Sequence, residues 1–305
     1  MAASPDALVF QTQFDPQTGS PVPVAPGVTR VTAPNRSPYT FTGTNSFLVG
    51  AERIAVIDPG PDDGGHLQAL LDAIDGRPVE AIILTHTHKD HSALAPKLKA
   101  ATGAPLWFEG RHRLSRKPRL FEMNGVGASS DWALVPDRVL HDGERIFAGG
   151  IELEIVATPG HCANHIALGL AGTPFLLSGD HVMGWSSTLV SVPDGSMADY
   201  LASLRKVIAL PYSDYLPAHG GPIADGPRYA QALLAHREAR NEQIRTAVSA
   251  GARSIGDLLG IIYPTIAPAL RIAAGMTLKA HIEYLEAAGL IRVRRGPFWT
   301  RLGQA

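Results

Sequence analysis

Among 305 residues there is one cysteine, Cys162, so no disulfide can form within the chain and a reducing compartment is the expected setting. Long apolar runs are missing as well; nothing approaches the ~20 residues that a membrane-spanning helix needs. The opening, "MAASPDALVFQTQFDPQTGSPVPVAPG", lacks a basic stretch followed by an apolar one, so no secretory signal is read there. A cytoplasmic protein without a membrane partner is the expectation. There is no periodic repeat and no low-complexity tract. Neither a Ser-His-Asp arrangement nor a phosphate-cradling glycine loop is seen, which turns attention away from serine nucleophiles and P-loop chemistry. Overall charge is nearly absent too, at −1, although 45% of the residues are hydrophobic. A chain of this size can bury one large domain, or a large and a small one.

What is present divides into two parts. The first alternates strand-like and helix-like stretches: "NSFLVG", "RIAVIDPG", then the amphipathic "GGHLQALLDAIDG", "VEAIILT" and "HSALAPKLKAAT". A second set of strands follows in "IELEIVATPG", "HIALGLAG" and "PFLLSGD". The next helix, "SMADYLASLRKVIAL", has Ser196 as N-cap and Asp199 three residues on. Such a mixture predicts α/β architecture, with sheets covered by helices on their outer faces. After Pro227 the pattern becomes three helices and a basic hairpin, "IRVRRGPFWTRL", turning near Gly296–Pro297. That order predicts a small winged-helix domain over residues 228–305, after a catalytic domain over 1–227. The second part carries eleven Arg or Lys against five acids, so a basic tail follows an acidic body.

The chemistry concentrates in "ILTHTHKDHSA", residues 83–93. A buried strand ends there in His86, His88, Asp90 and His91. On extended chain the side chains at i and i+2 share a side, so His86 and His88 project together and Asp90 continues their direction. His91 is out of phase and belongs at the start of the next helix. Two histidines for one ion, with an aspartate and a histidine for another, is the natural division, and these are ligands that Zn²⁺ accepts. Surface histidines gathered on a loop are the bland alternative.

This motif resembles the HxHxDH signature of the metallo-β-lactamase superfamily. Three later motifs match in order: "TPGHCANH" offers His161, "LLSGDH" Asp180 and "LPAHGGP" His219, each after an apolar run. The resemblance implies an αββα sandwich and two zinc ions per chain. It assigns His86, His88 and His161 to the first ion, Asp90, His91 and His219 to the second, and Asp180 to a bridge between them. Asp58 of "VIDPG" becomes a residue that orients a ligand histidine. Two such ions, about 3.5–4 Å apart, would clamp a water and lower its pKa to about 7, and Asp90 would orient the resulting hydroxide.

"APNRSPYTFTGTNSFLVG", "SGDHVMGWSSTLV", "HREARNEQI" and the terminal winged helix further resemble the lactamase-β-like protein 2 branch. That branch implies an endoribonuclease-like action on the phosphodiesters of single-stranded RNA or another anionic substrate. The alternatives are a thioester hydrolase of the glyoxalase II type and a non-catalytic winged-helix nucleic-acid-binding protein. Against the glyoxalase II type, Thr87 stands where that group has His; against the non-catalytic protein, the ligand set is complete. The winged helix could instead pair two copies of the chain in a homodimer. Cys162, His165 and His181 are read as structural neighbours of the ligands. Arg111, Arg113, Arg116, Lys117 and Arg119 are read either as an exposed mobile loop or as a phosphate-attracting rim.

Overall fold

The computed structural model describes residues 8–296 and 299–305, apart from the side chain of Ala269. Seven strands form one sheet in sequence order: β1 (Pro21–Ala25), β2 (Val28–Thr32), β3 (Asn45–Val49), β4 (Ile54–Ile57), β5 (Val79–Ile83), β6 (Leu106–Phe108) and β7 (Arg138–Val139). The first three pairings are antiparallel and the rest parallel. A second sheet, in the order β12-β11-β10-β9-β8, contains β8 (Arg145–Ala148), β9 (Ile151–Ala157), β10 (Ile166–Leu170), β11 (Phe175–Gly179) and β12 (Asp214–Pro217). Only its β11–β12 pair is parallel.

The sequence of β5 shows why the layers stack. Ala81 and Ile83 enter the core between the sheets, beside Ile155, Leu168 and Leu177 of the second sheet. Ile82 and Leu84 point the other way and pack under α1 (Gly64–Ile74) and α3 (Ala95–Thr102) through Leu70, Ile74 and Leu98. Both faces are buried, so the strand reads as a continuous apolar run. Beyond the second sheet, Val156, Ala167 and Leu176 meet Tyr200, Leu201 and Leu204 of α4 (Met197–Ile208). The result is helix, sheet, sheet, helix. Ser196 caps α4 by accepting from the Asp199 N–H at 3.2 Å.

The long helix α5 (Gly226–Ser249) runs without a break across residue 228 and joins the two parts of the chain. Its first half, through Ala230, Leu233 and Leu234, completes the core over α4. Its second half, through Ile244, Ala247 and Val248, enters a separate core with Leu258 of α6 (Ile255–Ile262) and Leu278, Ile282 and Leu285 of α7 (Pro268–Ala287). Ile291 and Leu302 of a two-stranded sheet, β13 (Ile291–Arg295) and β14 (Thr300–Gln304), close that core. A full capping box, Ser254 with Asp257, starts α6. The expected turn at Gly296–Pro297 lies partly outside the described residues; on its near side the Gly296 N–H donates to the Trp299 carbonyl at 2.9 Å.

All five acids of this part are engaged. Glu238 pairs with Arg205, Glu242 with Arg245, and Asp257 caps its helix. Glu286 pairs with Arg295, while Glu283 receives Arg116 and Arg119 from the 111–122 loop. Arg116 also reaches Glu122 at 2.6 Å, and Arg113 pairs with Glu109. Three of the five cations expected at a mobile loop or phosphate rim therefore pin that loop, two of them to α7. Among the described residues, no helix is long and apolar enough to cross a membrane.

Candidate metal centre

The four motif residues of "HTHKDH" leave the end of β5 and enter the short helix α2 (Lys89–Ser92). His161 follows β9, Asp180 follows β11 and His219 follows β12, so four strand ends bring all seven residues together. The Nε2 atoms of His86 and His161 lie 3.0 and 2.9 Å from Nδ1 of His88. On the other side, Asp90 Oδ2 is 3.4 Å from His219 Nε2 and 3.6 Å from His91 Nε2. Asp180 stands between: Oδ1 is 3.3 Å from His219 Nε2, and Oδ2 is 3.6 Å from His161 Nε2. His86, His88 and His161 form one group whose spacing suits a metal ion, and Asp90, His91 and His219 another. His86, His91 and Asp180 also lie close enough to share one.

Each histidine turns its other nitrogen to a fixed partner. His91 Nδ1 meets Asp58 Oδ2 at 2.9 Å, and the Asp58 carboxylate also accepts from the Thr85 N–H and hydroxyl, both at 2.7 Å. Asp58 adopts the left-handed backbone, with φ of 49°, at the end of β4. His161 Nδ1–H donates to the Leu189 carbonyl at 2.7 Å, and His219 Nδ1–H to that of Gly43 at 3.1 Å. His86 Nδ1 is 3.1 Å from the Thr85 hydroxyl. His88 Nε2 is 3.1 Å from Asp194, a fully buried carboxylate that His112 holds from its other side at 2.8 Å. With one nitrogen so engaged, the remaining nitrogen of every ring is left facing the centre.

The residues fit a cation. His91 Nε2, His219 Nε2 and Asp180 Oδ1 are buried without a hydrogen-bond partner, a costly state unless something positive sits among them. Asp58, Asp180 and Asp194 are buried, and no Lys or Arg among the described residues pairs with them or with Asp90. Electrostatics divides the site in the same way. Burial holds His86 well below the usual imidazole range and His161 down at about 4, with neighbouring histidines adding to the effect. Burial also opposes charge on His91 and His219, yet the nearby aspartates outweigh it and raise His219 to about 9. His86 and His161 are kept neutral, while Asp90 and Asp180 gather about His91 and His219.

The neighbours of the ligands turn away. Burial brings His181 down to about 3; its ring packs 5.0 Å from that of Tyr200. Cys162 is buried, its thiol pushed up by burial and donating to Asn164. His165 Nε2 accepts from the Asp180 N–H at 3.0 Å and so fixes the backbone of the central carboxylate. Three supporting residues carry no signal in the sequence: Asp194, His112 and Arg237. Arg237, 3% exposed, lies 5.2 Å over the Tyr200 ring and donates to the Thr188 carbonyl. The Thr188 hydroxyl in turn donates to the Asp180 carbonyl at 2.8 Å, so α5 supports the segment that bears Asp180.

The Asp194 contact makes a prediction. Asp194→Ala should weaken metal binding at the His86, His88 and His161 group by roughly 10- to 100-fold, measured by competition with a chromophoric chelator on protein with an unchanged circular dichroism spectrum. Unchanged affinity would mean that His88 is oriented without its buried partner.

A two-sheet sandwich with a histidine and aspartate cluster at its strand ends defines a metal-dependent hydrolase. The family model described as "Metallo-beta-lactamase superfamily" matches residues 39–219, more than half of the chain, and the chain belongs to that superfamily. The chain is 29% identical to "Lactamase-like protein vrtG" of Penicillium aethiopicum, over 81% of its own length and 74% of the relative's. It is 27% identical to "Beta-lactamase-like protein 2 homolog" of Drosophila melanogaster, over 88% and 94%. Identity to "Atrochrysone carboxyl ACP thioesterase" of Aspergillus fumigatus is also 27%, over 84% and 76%. The crystal structure of a beta-lactamase domain protein from Burkholderia ambifaria superimposes with a TM-score of 0.79 at 25% identity, covering 97% of both chains.

Proposed function

We propose that the protein is a hydrolase working with two zinc ions, and that its substrate is a phosphodiester in single-stranded RNA. The observation that carries the two-ion reading is the placement of Asp180, whose two carboxylate oxygens face the two ligand groups. His86, His88 and His161 would hold one ion, and Asp90, His91 and His219 the other. When bound, such a pair supplies Lewis acidity and a water acidic enough to be deprotonated near neutral pH.

The chain's own part is orientation. Asp90 has the most accessible side chain of the seven, at 29%, and can accept a hydrogen bond from the attacking water while held by His219 and His91. Asp58 and Asp194 keep two histidine rings from rotating. The phosphodiester assignment is supported by the branch likeness, in which the Drosophila relative matches 88% of the chain, and by the cationic surplus of residues 228–305.

A thioester substrate is the second reading, favoured by relatives whose names describe carrier-protein thioesterases. Zinc-loaded protein should be offered single-stranded RNA, S-lactoylglutathione, an acyl-pantetheine thioester, nitrocefin and an acyl-homoserine lactone. Turnover of RNA that is lost on chelation is the expected result. Turnover of a thioester with intact RNA would replace the phosphodiester reading and leave the two-ion site standing.

A further inference from the structure

We propose that the outer face of the β13–β14 hairpin binds single-stranded nucleic acid, with phosphates on three arginines and a base stacked on Trp299. The inference adds a binding surface to the phosphodiester reading and takes its direction from it. Its observations lie in the hairpin and involve none of the seven candidate metal ligands.

Strand alternation sorts the hairpin's side chains. Ile291 and Leu302 face the core, Val293 leans on it, and Arg295 on the same face pairs with Glu286. Arg292 and Arg294 therefore point outward, and both are exposed. Arg301 is paired in register with Arg294 and is exposed as well, so two cations oppose each other across the strands. Like charges directly opposite destabilise a sheet, so folding does not explain this pair. Among the described residues none of the three arginines has an ion-pair partner, and every acid of residues 228–305 is engaged elsewhere.

The same face carries an aromatic ring. A Cβ built on Gly296 would lie 2.2 Å from the Trp299 indole, so the ring crosses the hairpin's end where that glycine has no side chain. Trp299 is 55% exposed. At the other end Gly303 stands opposite Arg292 and leaves the backbone open. Cations on paired strands beside an accessible ring match how single strands are held: phosphates by charge and bases by stacking. An acidic protein would use the charge but has no base for the ring. A duplex would likewise hide its bases from it.

The test measures binding by the full chain of a fluorescein-labelled oligouridine 15-mer, a duplex of the same length and an oligoglutamate peptide, over a range of salt. Replacing Arg292, Arg294 and Arg301 together with Ala should lower the slope of log affinity against log salt by roughly 0.7 per lost phosphate contact, about two in all. Trp299→Ala should weaken the single strand by roughly 5- to 140-fold while leaving the salt slope and the duplex unchanged. Arg294→Glu, an exposed change that leaves the core intact, should weaken the single strand further than Arg294→Ala. Unchanged binding in the triple variant would overturn the proposal. So would oligoglutamate binding with the same arginine dependence, which would assign the face to an acidic protein. Zinc content and small-substrate hydrolysis should stay at wild-type levels in all variants. If RNA is bound in this way but never cleaved, the phosphodiester reading fails and the binding face remains.

Discussion

Replacing Asp180 with alanine is expected to reduce bound metal from the two ions proposed per chain to one or none, and to lower hydrolysis of any substrate by roughly a thousandfold or more. The reason is geometric. One carboxylate oxygen lies 3.3 Å from His219 Nε2 in one ligand group and the other 3.6 Å from His161 Nε2 in the other. Removing it takes a negative donor from both at once. A metal pair contributes several kcal/mol of charge stabilisation, and three orders of magnitude correspond to about 4 kcal/mol. His181→Ala, one residue further on, should keep both ions and lose thermal stability instead, because that ring packs against Tyr200. Elemental analysis and melting curves on the two variants separate these outcomes. A wild type with a single firm ion, unchanged in Asp180→Ala, would refute the bridging assignment.

Gly160→Ala should be among the most destabilising changes available in the chain. Gly160 precedes His161 with φ of 141°, and an added Cβ would lie 2.4 Å from the Tyr200 Cα and 2.5 Å from its N. Those are backbone atoms of α4, so no rotamer change relieves the overlap. The cost should exceed about 3 kcal/mol, the upper range for overpacking with strain added. A fall in melting temperature of roughly 6–12 °C follows from that figure. Gly143→Ala is the comparison: its φ is 74°, but nothing lies within 4 Å of the added carbon. It should cost only the left-handed backbone penalty of about 1–2 kcal/mol. Urea midpoints that place the two variants together would mean that the approach of α4 to the His161 loop does not limit packing.

Much of the candidate site was legible because its candidate ligands follow strands. An apolar run that ends in His or Asp is a local signal, and "ILTHTHKDH", "LLSGDH" and "LPAH" each carry it. The division of His86 and His88 from His91 followed from the phase of an extended chain. The supporting shell was not legible. Asp194 sits in "VPDG", an ordinary turn by composition, 106 residues from the His88 it contacts. His112 lies in a basic loop with no metal pattern, and Arg237 reads as one more helix cation. Charge misled in a similar way. Arg116, Arg119 and Arg295 look like free cations along the sequence, but Glu283, Glu122 and Glu286 neutralise them across the fold.

By itself, then, the sequence determined the layered α/β architecture, the four candidate ligands of the 83–93 stretch and the cationic character of the last quarter, the other three candidates coming from the family resemblance. These rest on periodicity and on residue types at fixed spacing, which act within a few residues. Only the tertiary structure decided which nitrogen of each ring faces the centre, which Asp180 oxygen faces which group, and which arginines keep their charge exposed. These depend on partners distant along the chain, brought within hydrogen-bond reach by the packing of the sheets and helices.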